Sequence, residues 1–125
     1  MSDVETSVED LKNAVRKFIH ERDWEKYHNP KDLAESICIE AAELLQLFQW
    51  ITLEESRKFK IDPSKIKRIE EELADVVIYC LSMANTLEVD LARVVLEKVE
   101  LNEKKYPADL YKGRAYFNHQ KSECR

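Results

Sequence analysis

The sequence contains a single glycine, Gly113, and three prolines in 125 residues. Nucleotide-binding folds of the Rossmann and P-loop types need several glycines, because their backbone must approach the phosphates closely. Both types are therefore excluded. Sandwiches and barrels of many short strands need frequent turns, so the scarcity of turn-forming residues also argues against them. Long helices are the remaining way to build the fold.

Cysteines are few, and acidic residues outnumber basic ones by 25 to 20. The three cysteines, Cys38, Cys80 and Cys124, are far apart and never form a Cys-x-x-Cys pair. This pattern is typical of reduced, buried thiols and not of disulfides or zinc sites. The net charge of −5 disfavours nucleic acid as a partner, since binding to its backbone needs clustered lysine and arginine. An acidic surface also repels phosphate unless a metal ion intervenes.

Long hydrophobic runs are missing as well. The longest uncharged stretch, at about residues 76–86, is too short to cross a bilayer, and the N-terminal residues show no secretory pattern. We therefore expect a cytoplasmic protein that does not bind membranes. With 44% hydrophobic and 36% charged residues, we expect one domain over residues 1–125, with a core at about 7–110 and a C-terminal tail at 111–125.

Apolar residues at helical spacing predict four helices, so the predicted fold class is an all-α four-helix bundle. The predicted helices cover about residues 7–26, 30–51, 64–87 and 90–106. Prolines mark several of the boundaries, and Ser64 and Asp90 are the predicted N-caps of the third and fourth helices. The polar connection between the second and third helices could hold a short helix at Leu53–Ser56.

Two of these helices carry acids where apolar side chains are expected. On the second helix, Glu40 lies in the middle of the apolar stripe, and Glu43 lies one turn on, at its edge. On the third helix, Asp75 is the only charge between Leu73 and Leu87, and Glu72 lies one turn before it. Glu43 alone would be an ordinary solvated glutamate. Glu40 and Asp75 need partners, because an unpaired buried charge is strongly destabilising.

Together these acids form two i, i+3 pairs on two helices, which predicts four carboxylates facing one another inside the bundle. Four such acids cannot all ionise without cations. An all-oxygen set suits a hard divalent ion such as Mg²⁺, which usually takes further ligands from a substrate's phosphates. The sequence therefore predicts a phosphate site built from acids, with Glu40, Glu43, Glu72 and Asp75 as metal ligands.

The fourth helix carries the complementary charge. Lys98 and Asn102 interrupt its apolar stripe on the same side, and Lys105 and Tyr106 follow. Each lysine could contact phosphate, or it could only extend from the core edge into solvent. Their occurrence together with four facing acids favours a role in binding phosphate.

Indole rings lie at the ends of the first two predicted helices. Trp24 and Trp50 can stack on a planar base, or they can simply pack. His28 completes a single Glu-x-x-His motif, whereas a di-iron redox bundle needs two such motifs on helices, so a redox protein is disfavoured. A non-enzymatic adaptor or oligomerisation bundle stays open as an alternative, in which the acids are surface charges.

The segment Glu40-Ala-Ala-Glu43, followed after 28 residues by Glu72-Leu-Ala-Asp75, resembles the ExxE…ExxD metal motif of the MazG-like all-α nucleoside triphosphate pyrophosphohydrolases. The resemblance covers about Val8 to Leu110. Within it, further segments resemble the branch that contains dCTP pyrophosphatases. These segments are Glu21-Arg-Asp-Trp24, Tyr27-His28, Glu43-Leu-Leu-Gln-Leu-Phe-Gln-Trp50, Glu71-Glu72-Leu-Ala-Asp75-Val-Val-Ile-Tyr79 and Asn102-Glu-Lys-Lys105-Tyr106-Pro107.

This resemblance implies a Mg²⁺-dependent hydrolase, with Mn²⁺ able to replace Mg²⁺. It implies cleavage of a nucleoside triphosphate, with dCTP or a modified pyrimidine deoxynucleotide expected, to the monophosphate and pyrophosphate. It also implies Glu43 and Glu72 as catalytic carboxylates, and a homodimer or homotetramer with sites near subunit boundaries. The implied substrate-binding residues are Trp24, His28, Trp50, Tyr79, Lys98, Asn102, Lys105 and Tyr106.

Overall fold

The computed structural model describes residues 1–114, and this range is all-helical, without a strand. Its α-helices are α1 (Val8–Glu21), α2 (Pro30–Gln46), α3 (Leu53–Arg57), α4 (Pro63–Thr86), α5 (Leu91–Lys105) and α6 (Ala108–Tyr111). Short 3₁₀ helices lie at Glu25–Tyr27 and Phe59–Ile61. The all-α fold class is confirmed. Residues 115–125, most of the predicted tail and Cys124 with it, lie outside the described residues.

All the α-helices except α6 begin at side-chain caps. Asn29 caps α2, and Pro30 occupies the first helical position, where its missing N–H costs no hydrogen bond. The predicted cap of α4 at Ser64 is wrong, because the Asp62 carboxylate accepts the first backbone N–H groups, including that of Ser64 at 3.1 Å. The predicted cap of α5 at Asp90 is confirmed.

The first two helices end earlier than the sequence predicts. α1 ends at Glu21, and Asp23 has φ 54°, in the left-handed region that an α-helix cannot pass through. α2 ends at Gln46, and Trp50 has φ 65°. Apolar residues continue at helical spacing through both turns, so periodicity predicts both ends at least one turn too late.

The chain falls into two compact units, Met1–Val89 and the residues from Asp90 onward. In the first unit α4 packs against both α1 and α2, so it is the central helix of that unit. The buried apolar core of that unit consists of Val15, Ile19, Leu33, Phe59, Leu81 and Ala84. The second unit contains α5 and α6, and no residue between 90 and 114 is fully buried. One domain over the whole chain stays a prediction.

Several large apolar side chains remain exposed on the single chain. Leu73 and Val77 of α4, for example, are 50% and 42% exposed. Cys38 is also exposed instead of buried, while Cys80 is half-buried, and both are free thiols. None of the helices within residues 1–114 is long and apolar enough to cross a membrane.

Candidate active site

Three carboxylates of the first unit meet between α2 and α4. Glu40 and Glu43 lie one turn apart on α2, where i, i+3 spacing directs both side chains to one face. Glu72 extends toward them from α4. One oxygen from each of the three lies within 4.8 Å of the others. The predicted meeting of acids across two helices is confirmed for these three residues, which we call the acid cluster.

Two oxygens of the acid cluster are buried without a hydrogen-bond partner, Glu40 Oε2 and Glu72 Oε2. The pKa of Glu40 is raised to about 7, with burial as the largest cause and the neighbouring Glu43 carboxyl as the next. Burial is also the largest cause that raises the pKa of Glu72, followed by the charge of Glu43. Buried carboxylate oxygens without donors are costly, so the acid cluster offers ligand atoms that no described protein group satisfies.

The donor chemistry of the acid cluster fits a divalent metal ion. All of its ligand atoms are carboxylate oxygens, which hard cations of the Mg²⁺ type prefer, and no sulfur or imidazole competes for a softer metal. A cation would also complement the two unpartnered oxygens and reduce the mutual repulsion that raises the pKa values. The cluster can therefore hold a metal, as the sequence predicts.

Asp75, the fourth predicted ligand, does not join the acid cluster. It is exposed on α4, so its predicted burial inside the bundle is wrong for this chain. Glu72 and Asp75 have the same i, i+3 spacing as Glu40 and Glu43, but the Asp75 carboxylate lies outside the group of oxygens that meet. Its charge nevertheless raises the pKa of both Glu40 and Glu72, so it lies within electrostatic range of the cluster.

Asp75 also lines a cleft of about 630 Å³ between α1 and α4, which we call the aromatic cleft. Its size is in the range of small-molecule sites, and most of its lining residues are apolar. Four of the predicted site residues line it: Trp24, His28, Asp75 and Tyr79. Asp75 therefore lines the aromatic cleft and also lies within electrostatic range of the acid cluster.

The rings in the aromatic cleft are held by neighbours that the sequence analysis missed. His28 stacks on Tyr79 at 5.9 Å between ring centroids, and its Nδ1 lies 2.8 Å from the hydroxyl of Ser82, which is 2% exposed. Burial lowers the pKa of His28, which favours a neutral imidazole. Phe18 meets Trp24 edge-on at 5.9 Å. Ser82 could have been found from the sequence, because it places a hydroxyl group inside the most apolar stretch of α4.

Trp50 is absent from the aromatic cleft. Its side chain is 92% exposed and its backbone lies in the left-handed region, so the prediction that both indoles border one cavity is wrong within a single chain. Bulky residues rarely adopt this backbone conformation without a local reason. The early end of α2 explains the difference, because it turns the chain away before Trp50 is reached.

The predicted phosphate contacts all lie in the second unit. Lys98, Asn102 and Lys105 are spaced four and three residues apart on α5, which places them on one helix face. Lys98 is exposed, whereas Asn102 and Lys105 are half-buried. Tyr106 ends the helix by donating its backbone N–H to the Asn102 carbonyl at 2.8 Å, and its ring meets that of Tyr111 edge-on. The contact of these residues with phosphate stays a prediction.

Comparison with known proteins identifies the class to which this all-helical, acid-bearing fold belongs. A MazG-like family model matches residues 35–116, a range that includes the whole acid cluster and Asp75. The chain therefore belongs to the MazG-like family.

Individual relatives agree with this assignment. The chain is 37% identical over 111 residues to rat dCTP pyrophosphatase 1, a match that covers 89% of this chain and 65% of that protein. It is 39% identical over 106 residues to human dCTP pyrophosphatase 1, covering 85% and 62%. The chain thus spans slightly less than two thirds of the length of these relatives. A pyrophosphatase structure from Archaeoglobus fulgidus DSM 4304 matches with TM-score 0.72 and 43% identity, covering 79% of this chain and 91% of that one.

Proposed function

We propose that this protein is a divalent-metal-dependent nucleoside triphosphate pyrophosphohydrolase. Its proposed substrate is dCTP or a modified pyrimidine deoxynucleotide, and its products are the monophosphate and pyrophosphate. The observation that carries the proposal is the acid cluster, with two unpartnered carboxylate oxygens, in the same unit as an aromatic cleft of nucleotide size. The curated relatives named dCTP pyrophosphatase 1 support this choice of substrate.

Glu40, Glu43 and Glu72 would hold Mg²⁺ or Mn²⁺, with Asp75 as a fourth ligand that approaches from the edge of the aromatic cleft. When bound, such an ion neutralises phosphate charge and polarises the phosphoryl oxygens. A polyphosphate would therefore lie where the acid cluster and the cleft are closest. Without a cation the same acids would repel it.

The carboxylates have a second proposed task, which is to accept a proton. Water attacks the α-phosphorus, the bond between that phosphorus and the α,β-bridging oxygen breaks, and pyrophosphate leaves with the bridging oxygen. The proton of the attacking water passes to Glu43 or Glu72. Glu43 is the more exposed of the two, so its carboxylate is open to water.

The aromatic cleft would bind the base and the sugar. Trp24 and Tyr79 supply ring faces and edges for stacking. The stacked His28 is held in place because its Nδ1 pairs with the Ser82 hydroxyl, which leaves Nε2 as a single donor or acceptor for a polar base edge. These contacts favour a planar, uncharged ring over a purely inorganic polyphosphate.

We further propose a homodimer or homotetramer in which the site is completed by a second copy of the chain. Trp50 is fully accessible and cannot reach the aromatic cleft of its own unit, so we assign it to the cleft of a partner copy. The half-exposed Leu73 and Val77 supply apolar area for such an interface. Lys98, Asn102 and Lys105, with Tyr106, are assigned to the polyphosphate of the substrate.

Product analysis tests the proposed reaction. The protein would be incubated with each standard nucleoside and deoxynucleoside triphosphate and with 5-methyl-dCTP, with Mg²⁺ or with EDTA, and the products separated by ion exchange. We expect dCMP and pyrophosphate in equal amounts with Mg²⁺, and no turnover with EDTA. Formation of dCDP and inorganic phosphate, or inactivity toward every nucleotide, would overturn the proposal.

A non-enzymatic adaptor is less well supported. That alternative requires the acids to be surface charges, whereas oxygens of Glu40 and Glu72 are buried without partners. It also gives no reason for a divalent ion to stabilise the chain. Thermal stabilisation by Mg²⁺ therefore separates the two functions.

A further inference from the structure

A second cleft, of about 680 Å³, lies against α1 and the C-terminal half of α4. We call it the basic cleft, after Arg16, Lys17 and His20, which line it. The α1 residues of the basic cleft and those of the aromatic cleft project from opposite faces of the helix, as 100° per residue requires. Ile19 and His28 border both cavities.

Arg16 carries a charge that is oriented but not neutralised. Its guanidinium donates to the side-chain oxygens of Asn13 and, at 2.7 Å, of Asn85. Both acceptors are neutral amides, and no carboxylate pairs with Arg16 or Lys17 among residues 1–114. The Asn85 amide is itself fixed, because its nitrogen donates to the Lys12 carbonyl at 3.0 Å. The guanidinium group of Arg16 is thus held in place, and some of its N–H donors remain unused.

The remaining charges of the basic cleft also favour an anion. Glu25 is the single acid among its lining residues, and a carboxylate oxygen of Glu25 lies 2.9 Å from Nδ1 of His20. That acid therefore already has a partner. In a protein with a net charge of −5, two unpaired cations in one cavity form a distinct positive region.

We propose that the basic cleft binds a small phosphate monoester of nucleotide size, with Arg16 as the main contact and Lys17 as the second. An oriented guanidinium fork matches the oxygens of a phosphate group. The carbon surface of Ile19 and the ring of His28 would receive the remainder of the ligand. Because His28 also borders the aromatic cleft, occupation of the basic cleft would act on that ring from its other side.

Binding can be measured without any assumption about hydrolysis. Calorimetric titrations of the full chain in EDTA would use dCMP, ribose 5-phosphate and unphosphorylated deoxycytidine, since the acid cluster repels phosphate in the absence of metal. We expect saturable binding of both phosphate monoesters. Arg16→Met should weaken it by about tenfold or more, the effect of a lost charged hydrogen-bond pair. The same substitution should not change the binding of deoxycytidine.

A matched variant separates a specific contact from net charge. Arg57→Met removes the same charge from α3, where Arg57 pairs with Glu54 at 2.8 Å, and it should leave binding unchanged. Lys17→Gln removes a side chain that makes no hydrogen bond or ion pair within the described residues, so it keeps the test valid if Arg16→Met does not fold. Lys17→Gln should weaken binding by about threefold or more.

Three results would overturn the proposal. The first is the absence of binding by either phosphate monoester. The second is equal weakening by Arg57→Met, which would mean that only net charge matters. The third is loss of dCMP binding in Trp24→Ala but not in Arg16→Met, which would place the ligand in the aromatic cleft. Failure of the proposed hydrolysis would leave all of these measurements unaffected.

Discussion

Replacing Glu40 with glutamine should stabilise the metal-free protein above neutral pH. The acid cluster raises the pKa of Glu40 from 4.5 to about 7, so the folded state resists ionisation of this group. A shift of this size corresponds to about 3 kcal/mol at 1.36 kcal/mol per pKa unit. Water reaches part of the half-buried side chain and screens its charge, so we expect about 1–2 kcal/mol of added unfolding free energy in the variant.

The sign of this effect depends on pH. Below pH 4.5 Glu40 is protonated in both the folded and the unfolded chain, so its ionisation costs nothing. Between pH 4.5 and about 7 the unfolded chain releases the proton while the folded chain keeps it. The wild type therefore loses stability across this window and gains none of it back above pH 7. Glutamine cannot ionise, so the difference between variant and wild type should grow from pH 4.5 to 7 and then level off.

Urea unfolding followed by circular dichroism at matched protein concentration would measure the difference at pH 4.5, 6 and 8 in EDTA. Glu70→Gln is the control, because this substitution removes the same charge from an exposed position on α4. Adding Mg²⁺ should reverse the order, because a ligand that binds only the folded wild type stabilises it. A variant that is less stable than the wild type at pH 8 without metal, or a difference that does not change with pH, would refute the reasoning.

Three further predictions concern the proposed reaction. Glu72→Gln and Asp75→Asn should each remove nearly all Mg²⁺-dependent hydrolysis while far-UV circular dichroism stays unchanged, and retained turnover in both would exclude these acids as metal ligands. Trp24→Ala and Trp50→Ala should each raise KM by about ten- to a hundredfold at most, since base stacking contributes about 1–3 kcal/mol per ring. The dependence on metal should be preserved in both variants. An unchanged KM in both would show that the two indoles are only packing residues. Activity per chain should fall on dilution as the oligomer dissociates, and a fully active monomer in sedimentation would contradict a shared site.

Much of the fold could be predicted from local physical rules. The scarcity of glycine and proline excluded strand-rich and glycine-loop folds, and apolar spacing located all four long helices. The pairing of Glu40 with Glu43 followed from helical periodicity alone, because i, i+3 residues share a face in any α-helix. Glu72 was added to them because it lies one turn before Asp75, the only charge in the apolar part of the third predicted helix.

Features that depend on backbone turns or on distant contacts could not be predicted in this way. α1 and α2 end shortly before the left-handed residues Asp23 and Trp50, although the apolar pattern continues. Trp50 lies in solvent and does not line the aromatic cleft of its own chain. The hydrogen bond between His28 and Ser82 joins residues 54 positions apart, and sequence periodicity cannot predict such a contact.

The sequence by itself determined the helical class and the chemistry of the acids, since both depend on residue type and spacing within one helix. Only the tertiary structure decided that three carboxylates meet while Asp75 turns toward the aromatic cleft. It alone also showed that Arg16 is held between two amides without an acid. The physical reason is that burial, unsatisfied oxygens and pKa shifts arise where different helices approach one another, and that approach is set by packing across the whole unit.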